Sequence, residues 1–312
     1  MAATAVLDWL LDGDVAVQFQ ATRDLLQGDG DALQARIATE GDGATLLAAH
    51  HADGHWGRGF YRPKWTSSHY TLLELRNLGL DPANAVAGET VRRILRTEKR
   101  EDGGLDPTVT VRGSDACVNG MALNYATYFG APEDELASLV DFLLAGRVAD
   151  GGFNCRANRV PVRHSSMHTT LSVVEGITGY ERAGHRYRLD ELLAARESSV
   201  EFLLRHRLFR SEHTGAVIRP EFVRLHHPTR WYYDLLRCLD SLADAGVTYD
   251  DRMSDAIDVL LSRRAPDGRW PVNRAYPGET HLPNPLPGTP HRWITLCALR
   301  VLAAYAPGRV DG

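Results

Sequence analysis

The chain has little cysteine, no basic run and no long apolar run, and each shortage removes a class of function. Its 312 residues include four cysteines, Cys117, Cys155, Cys238 and Cys297, none in a Cys-x-x-Cys pair. A small disulfide scaffold is excluded, and a reducing, cytoplasmic location is the default expectation. The formal net charge is −5 and the pI is near 6.2. Without a basic patch to meet phosphates, a nucleic-acid partner is not expected. No apolar stretch is long enough for a membrane span, and no charged-then-apolar leader precedes a small-residue cleavage site. An alternating strand pattern of useful length is also missing.

What is present is a repeated turn. Asp53-Gly54-His55-Trp56, Asp102-Gly103-Gly104-Leu105, Asp150-Gly151-Gly152-Phe153 and Asp267-Gly268-Arg269-Trp270 share the pattern Asp-Gly followed by a bulky apolar residue, and Thr214-Gly215-Ala216-Val217 is a degraded copy. A period of roughly fifty residues points to an array of helical hairpins. Glycine supplies the positive φ between two helices, and the bulky residue plugs the gap between hairpins. Apolar residues at spacings of three and four predict inner helices near 14–27, 65–79, 114–129, 165–178, 229–245 and 291–305. Outer partners are predicted near 30–51, 84–98, 133–147, 190–206 and 251–264, and Thr4 to Leu11 completes a sixth pair. Asp81-Pro82, Pro132 with the acids after it, and Asp250-Asp251 read as helix starts. The expectation is an all-α chain, an (α/α)6 toroid of helical hairpins forming a single domain over 1–312. The long segment 271–290, with Pro277, Pro283, Pro285 and Pro287, is expected to lie across a cavity mouth.

Five of the six predicted inner helices start with a similar segment, and one register carries His69, Cys117, His168, Trp231 and Trp293 in turn. In a ring of repeats those side chains face one cavity. Cys117 and His168, with Asp115 two residues before the cysteine, then offer the mixed donors that zinc prefers. Side chains two apart do not share a helix face, so Asp115 must sit in the turn and Cys117 in the first helical turn, where the dipole favours a thiolate. Three ligands leave an open, catalytic position, and His69 competes for it or faces the substrate. Singly, the Cys reads as a small buried hydrophobe, the Asp as a cap and the His as a hydrogen-bonded residue. Trp231, Tyr232 and Trp293 read as an aromatic wall or as interhelical packing. Arg163 and Arg230 read as an anion pocket or as solvated caps.

These turns and inner helices resemble the repeats of protein prenyltransferase β-subunits and squalene/oxidosqualene cyclases over nearly the whole chain. The prenyltransferase pattern of Asp-x-Cys on one inner helix and His-Thr on the next is matched by Asp115-Ala116-Cys117 and His168-Thr169. The resemblance implies Asp115, Cys117 and His168 as ligands of Zn2+, and Arg112 where those enzymes hold an isoprenoid diphosphate. The acidic Asp-x-Asp-Asp box of squalene-type cyclases is absent, and so is the Asp-Asp-x-x-Asp box of ionising terpene synthases. A separate prenyltransferase α-type subunit is not evident in the chain. The expected function is a zinc-dependent transferase or lyase acting on a small thiol or apolar, isoprenoid-like substrate. The alternatives are a non-catalytic toroid that binds a hydrophobic ligand or partner, and a terpene cyclase or carbohydrate-active toroid. The last of these needs two facing carboxylates.

Overall fold

The computed structural model describes residues 2–107, 113–157 and 160–309. The helices are α1 (Ala2–Leu11), α2 (Val15–Asp24), α3 (Asp31–Arg36), α4 (Gly41–Ala48), α5 (Ser68–Leu78), α6 (Ala85–Thr97), α7 (Ala116–Tyr128), α8 (Glu133–Ala145), α9 (Met167–Arg182), α10 (Leu189–Arg205), α11 (Leu235–Asp244), α12 (Ser254–Ser262) and α13 (Arg292–Tyr305). Among the described residues there is no strand, only isolated antiparallel bridges. The chain divides into two compact units, one formed by Met1–Ala48, Asn77–Asp81 and Leu204–Gly312 and the other by Ala49–Arg76 and Pro82–Leu203. In the first unit α13 packs against α11 and α2, and α1 against α2. In the second α7 packs against both α9 and α8, and α6 against α8.

The repeated turns are built as their sequence predicts. Gly54, Gly103, Gly151, Gly215 and Gly268 have φ of 88°, 83°, 105°, 68° and 82°. In the four clear copies a backbone bond closes the turn: His51 N donates to His55 O, Arg100 N to Gly104 O, Val148 N to Gly152 O and Ala265 N to Arg269 O, at 2.8 to 2.9 Å. The bulky residues Trp56, Leu105, Phe153 and Trp270 are buried, whereas Val217 of the degraded copy is 42% exposed. Each buried one donates its N–H to a polar side chain in the next inner helix. Trp56 N bonds Ser68 Oγ, Leu105 N bonds Asn119 Oδ1, Phe153 N bonds Thr170 Oγ1 and Trp270 N bonds Thr295 Oγ1, all within 3.0 Å.

Three expectations about local structure change. The fifth inner helix starts at Leu235, not near Arg230, because the Asp234 carboxylate accepts the N–H of Arg237 and makes Asp234 the N-cap. Trp231 and Tyr232 therefore stand in a turn, after a residue, Arg230, whose φ is +54°. The stretch near 30–51 forms two helices, α3 and α4, because Gly41 interrupts it at φ +61°. Helix α6 begins after Asn84, which caps Ala87 N, and not at Asp81-Pro82.

Helices α7 and α9 approach closely enough for backbone to meet backbone. A Cβ on Gly176 would lie 2.4 Å from Gly120 O, and one on Gly120 would lie 2.6 Å from Ser172 O. Adding a methyl there forces the helices apart. Gly176→Ala should lower stability by about 1–3 kcal/mol, read as a lower urea midpoint with unchanged m-value; an unchanged midpoint would refute this packing.

Candidate functional site

In the second unit, two turn clamps present the first turns of α7 and α9 side by side. The Asp102 carboxylate accepts Ser114 N and Ser114 Oγ, each at 2.8 Å. Asn119 Nδ2 donates to Leu105 O and Asp115 O, both at 3.0 Å. Asp115 is thereby held as the extended N-cap of α7, and Cys117 follows in the first turn. The third repeat copies this construction: Asp150 accepts Ser165 N at 2.7 Å together with the Ser165 hydroxyl, and Ser166 N donates to Phe153 O at 2.8 Å. Ser166 caps α9, leaving His168 and Thr169 in its first turn.

These clamps bring together two sulfurs 38 residues apart. Cys155 Sγ accepts the backbone N–H of Cys117 at 3.2 Å and lies 3.2 Å from Thr169 Oγ1. The Cys117 thiol also bonds this sulfur, and these donors outweigh burial, holding Cys155 below the usual thiol range. Cys117 is pushed well up, first by that same bond and then by burial. Of the two thiols, Cys155 is therefore the one that gives up its proton first, at the positive end of α7. The helix register does not single out Cys155, because it sits in a turn. Its position two residues after Phe153 was the available signal.

Asp115, Cys117 and His168 are each half-buried at these helix starts. Among the described residues, no group of three His, Cys, Asp or Glu side chains is placed to hold a metal ion. The sulfur chemistry suits zinc, but the donors as they stand do not make a site for it, since a tetrahedral centre needs at least three protein ligands. Arg112 lies outside the described residues. Arg163 is exposed in the segment before α9.

His69 is fully buried in the first turn of α5. Its Nδ1 lies 3.3 Å from the Tyr125 hydroxyl, and its ring is edge-on to Phe60, Tyr70 and Tyr125. Burial, with Lys64 nearby, lowers its pKa to about 3. The imidazole is therefore neutral, and its Nε2 has no hydrogen-bond partner among the described residues. Tyr125 is two helical turns beyond Cys117, about 12 Å of rise, so these contacts attach His69 to Tyr125 and not to the sulfur pair.

In the first unit the aromatic residues gather. Trp231 stacks on Tyr232 at 4.1 Å, Tyr232 on Tyr276 at 3.4 Å, and Tyr276 on His226 at 4.8 Å. Trp293 stacks on His227, which meets His291. Burial, then His291 and Arg230, keep His227 neutral, and burial lowers His291 to about 4. Arg230 is itself 6% exposed. The Asp234 carboxylate beside them accepts the N–H groups of His226 and Arg237, so it serves the backbone. Tyr276 brings segment 271–290 into this cluster.

No protein-family model matches the chain, and no curated protein matches it. Among solved structures, a glycosyl hydrolase family 88 protein from Bacteroides vulgatus is similar at TM-score 0.52 and 13% identity, covering 95% of this chain and 90% of its own. A type II terpene cyclase from Scytonema aligns at TM-score 0.35 and 15% identity, over 88% of this chain and 98% of its own. The first likeness shows the fold, which is all-α and of the α/α-toroid class. No helix among the described residues is long and apolar enough to cross a membrane.

The buried histidines make an acid-stability prediction. A folded pKa near 3 for His69, against an unfolded value near 6.5, means that the unfolded chain takes the proton first. Stability is then lost as pH falls below about 6.5 and levels off only near pH 3. His227 and His291 add slopes of the same sign. Between pH 7 and pH 5, His69→Phe should lose about 2 kcal/mol less than the parent chain, as read from urea unfolding at both pH values. Equal losses would show that His69 is not held neutral.

Proposed function

We propose that the chain is an enzyme of the α/α-toroid class that acts on a small molecule through a sulfur site, with Cys155 as its nucleophile. The supporting observation is the bond from the Cys117 backbone N–H to Cys155 Sγ at the start of a 13-residue helix, reinforced by the Thr169 hydroxyl. A thiolate in that position attacks an electrophilic carbon. The S–C bond forms from a sulfur lone pair, and the bond to the leaving group breaks with its electrons departing on that group. The Cys117 thiol, which touches the reacting sulfur, is the adjacent proton source for it. Transfer to a second nucleophile frees Cys155. The resemblance of the turns and inner helices to prenyltransferase and cyclase repeats is the support for an apolar, isoprenoid-like substrate as the form of this proposal.

Zinc is proposed separately, as a cation for Asp115, Cys117 and His168, which start inner helices but as they stand do not form a metal-holding group. The step above does not pass through it. A second reading, a non-catalytic ligand-binding toroid, is favoured by the ring stack around Tyr276, whose buried hydroxyl has no partner among the described residues.

Alkylation separates these readings. Iodoacetamide should modify Cys155 of the folded chain first, with a half-reaction pH below the roughly 8.5 of an ordinary thiol, while Cys297, pushed up to about 12 by burial and Asp240, stays unmodified. Thr169→Val should slow Cys155 several-fold at neutral pH. If Cys155 reacts no faster than buried Cys238, it is a structural thiol and the nucleophile assignment is lost. Elemental analysis after chelator-free purification tests the metal: one zinc per chain, shielding Cys117 from alkylation, would transfer the chemistry from the sulfur to the metal.

A further inference from the structure

The sulfur pair has a property that nucleophilic catalysis does not require. Cys117 and Cys155 come from different repeats, one on a helix and the other in a turn, and the Cys117 backbone N–H bonds Cys155 Sγ at 3.2 Å, which sets the two thiols beside each other. All four cysteines are unbridged. A nucleophile that only attacks a substrate gains little from a second thiol in contact, whereas a sulfur that is to be oxidised and then recovered needs one.

We propose that Cys155 is a site of oxidation by hydroperoxides and that Cys117 resolves it into a disulfide, which switches the sulfur site off. The Cys155 thiolate attacks the terminal peroxide oxygen. The S–O bond forms and the O–O bond breaks, and the departing alkoxide takes the Cys117 thiol proton and leaves as an alcohol. The Cys117 thiolate then attacks the sulfenic sulfur. The S–S bond forms, the S–O bond breaks and hydroxide leaves. The sulfur pair loses two electrons, and the peroxide, the oxidant, gains them. A cellular dithiol reductant reverses the change by exchange.

Two features of the surroundings support this. Peroxide must reach the sulfur, and Cys117 and Cys155 are partly exposed, as Cys297 is, where Cys238 is buried. The turn carrying Cys155 is fixed at Phe153 but continues into residues 155–157, which lie outside any helix. Closing the bond therefore moves a turn and leaves the packed core in place. The inference rests on the same contact between Cys117 and Cys155 as the proposed function but makes a separate claim, since a nucleophile need not be resolvable.

The test uses the full chain, reduced and then treated with tert-butyl hydroperoxide. Intact mass should fall by about 2 Da, and a non-reducing peptide map should join the Cys117 and Cys155 peptides, both reversed by dithiothreitol. In Cys117→Ser, the sulfenic acid should persist and be captured by dimedone at Cys155. In Cys155→Ser, neither product should form. A link through Cys238 or Cys297, or dimedone capture at Cys155 with no link in the parent chain, would overturn the resolving role of Cys117. If Cys155 alkylates quickly but never bridges, the nucleophile reading stands and this one fails. If it bridges yet alkylates no faster than Cys238, the switch stands and the nucleophile fails.

Discussion

The backbone N–H of the bulky residue after each Asp-Gly turn finds no acceptor within its own turn, and a side chain of the following inner helix supplies one. A buried N–H left unbonded costs about 1–3 kcal/mol, so burying Trp56, Leu105, Phe153 and Trp270 requires Ser68, Asn119, Thr170 and Thr295 to be where they are. That requirement fixes the rotation of each inner helix relative to the turn before it. The turn aspartate adds a second tie in the second and third repeats, where it grips the serine just outside the helix. With the helix start held at two points, its first-turn N–H groups face a defined direction. The degraded turn at Gly215 shows the converse: Val217 is exposed, and the helix that follows begins late.

The electrostatics of the sulfur site follow from that geometry. The first N–H groups of a helix lack intrahelical acceptors and attract negative charge. In α7 one of them meets a sulfur from the neighbouring repeat, so that sulfur is bonded to a donor that cannot leave, which favours its deprotonated form. His69 shows the opposite case: it also lies at a helix start, but its neighbours are aromatic rings and a phenol, so burial leaves it neutral. Shared register alone does not decide chemistry; what faces the residue does.

How much of this the sequence discloses depends on the range of the interaction. The turns, their glycines and the inner helices of repeats two and three are local, and Asp-Gly spacing with apolar periodicity is enough to read them. The start of α11 is not local in the same sense. Arg230 in a left-handed conformation and the Asp234 cap override the register that aligned Trp231 with Cys117. Asp115, Cys117 and His168 do occupy helix starts as their spacing indicates, yet equal register gives no distance between them, and a metal set depends on distance. The contact between Cys117 and Cys155 spans 38 residues and joins a helix to a turn, so no periodic pattern contains it.

The position two residues beyond the bulky residue illustrates how a repeat becomes a site. It is Arg58 in the first clear turn, Pro107 in the second, Cys155 in the third and Val272 in the last. The backbone leading to it is held in each repeat by the same N–H bond, so what changes along the chain is side-chain chemistry on a conserved geometry within one molecule. In the third repeat the residue is a thiol, the preceding helix offers an N–H and a second thiol, and the following helix offers a hydroxyl. Each of these donors opposes burial, which by itself raises a thiol's pKa. The lowered pKa, and any reactivity that depends on it, therefore belongs to the meeting of two repeats and not to the cysteine itself.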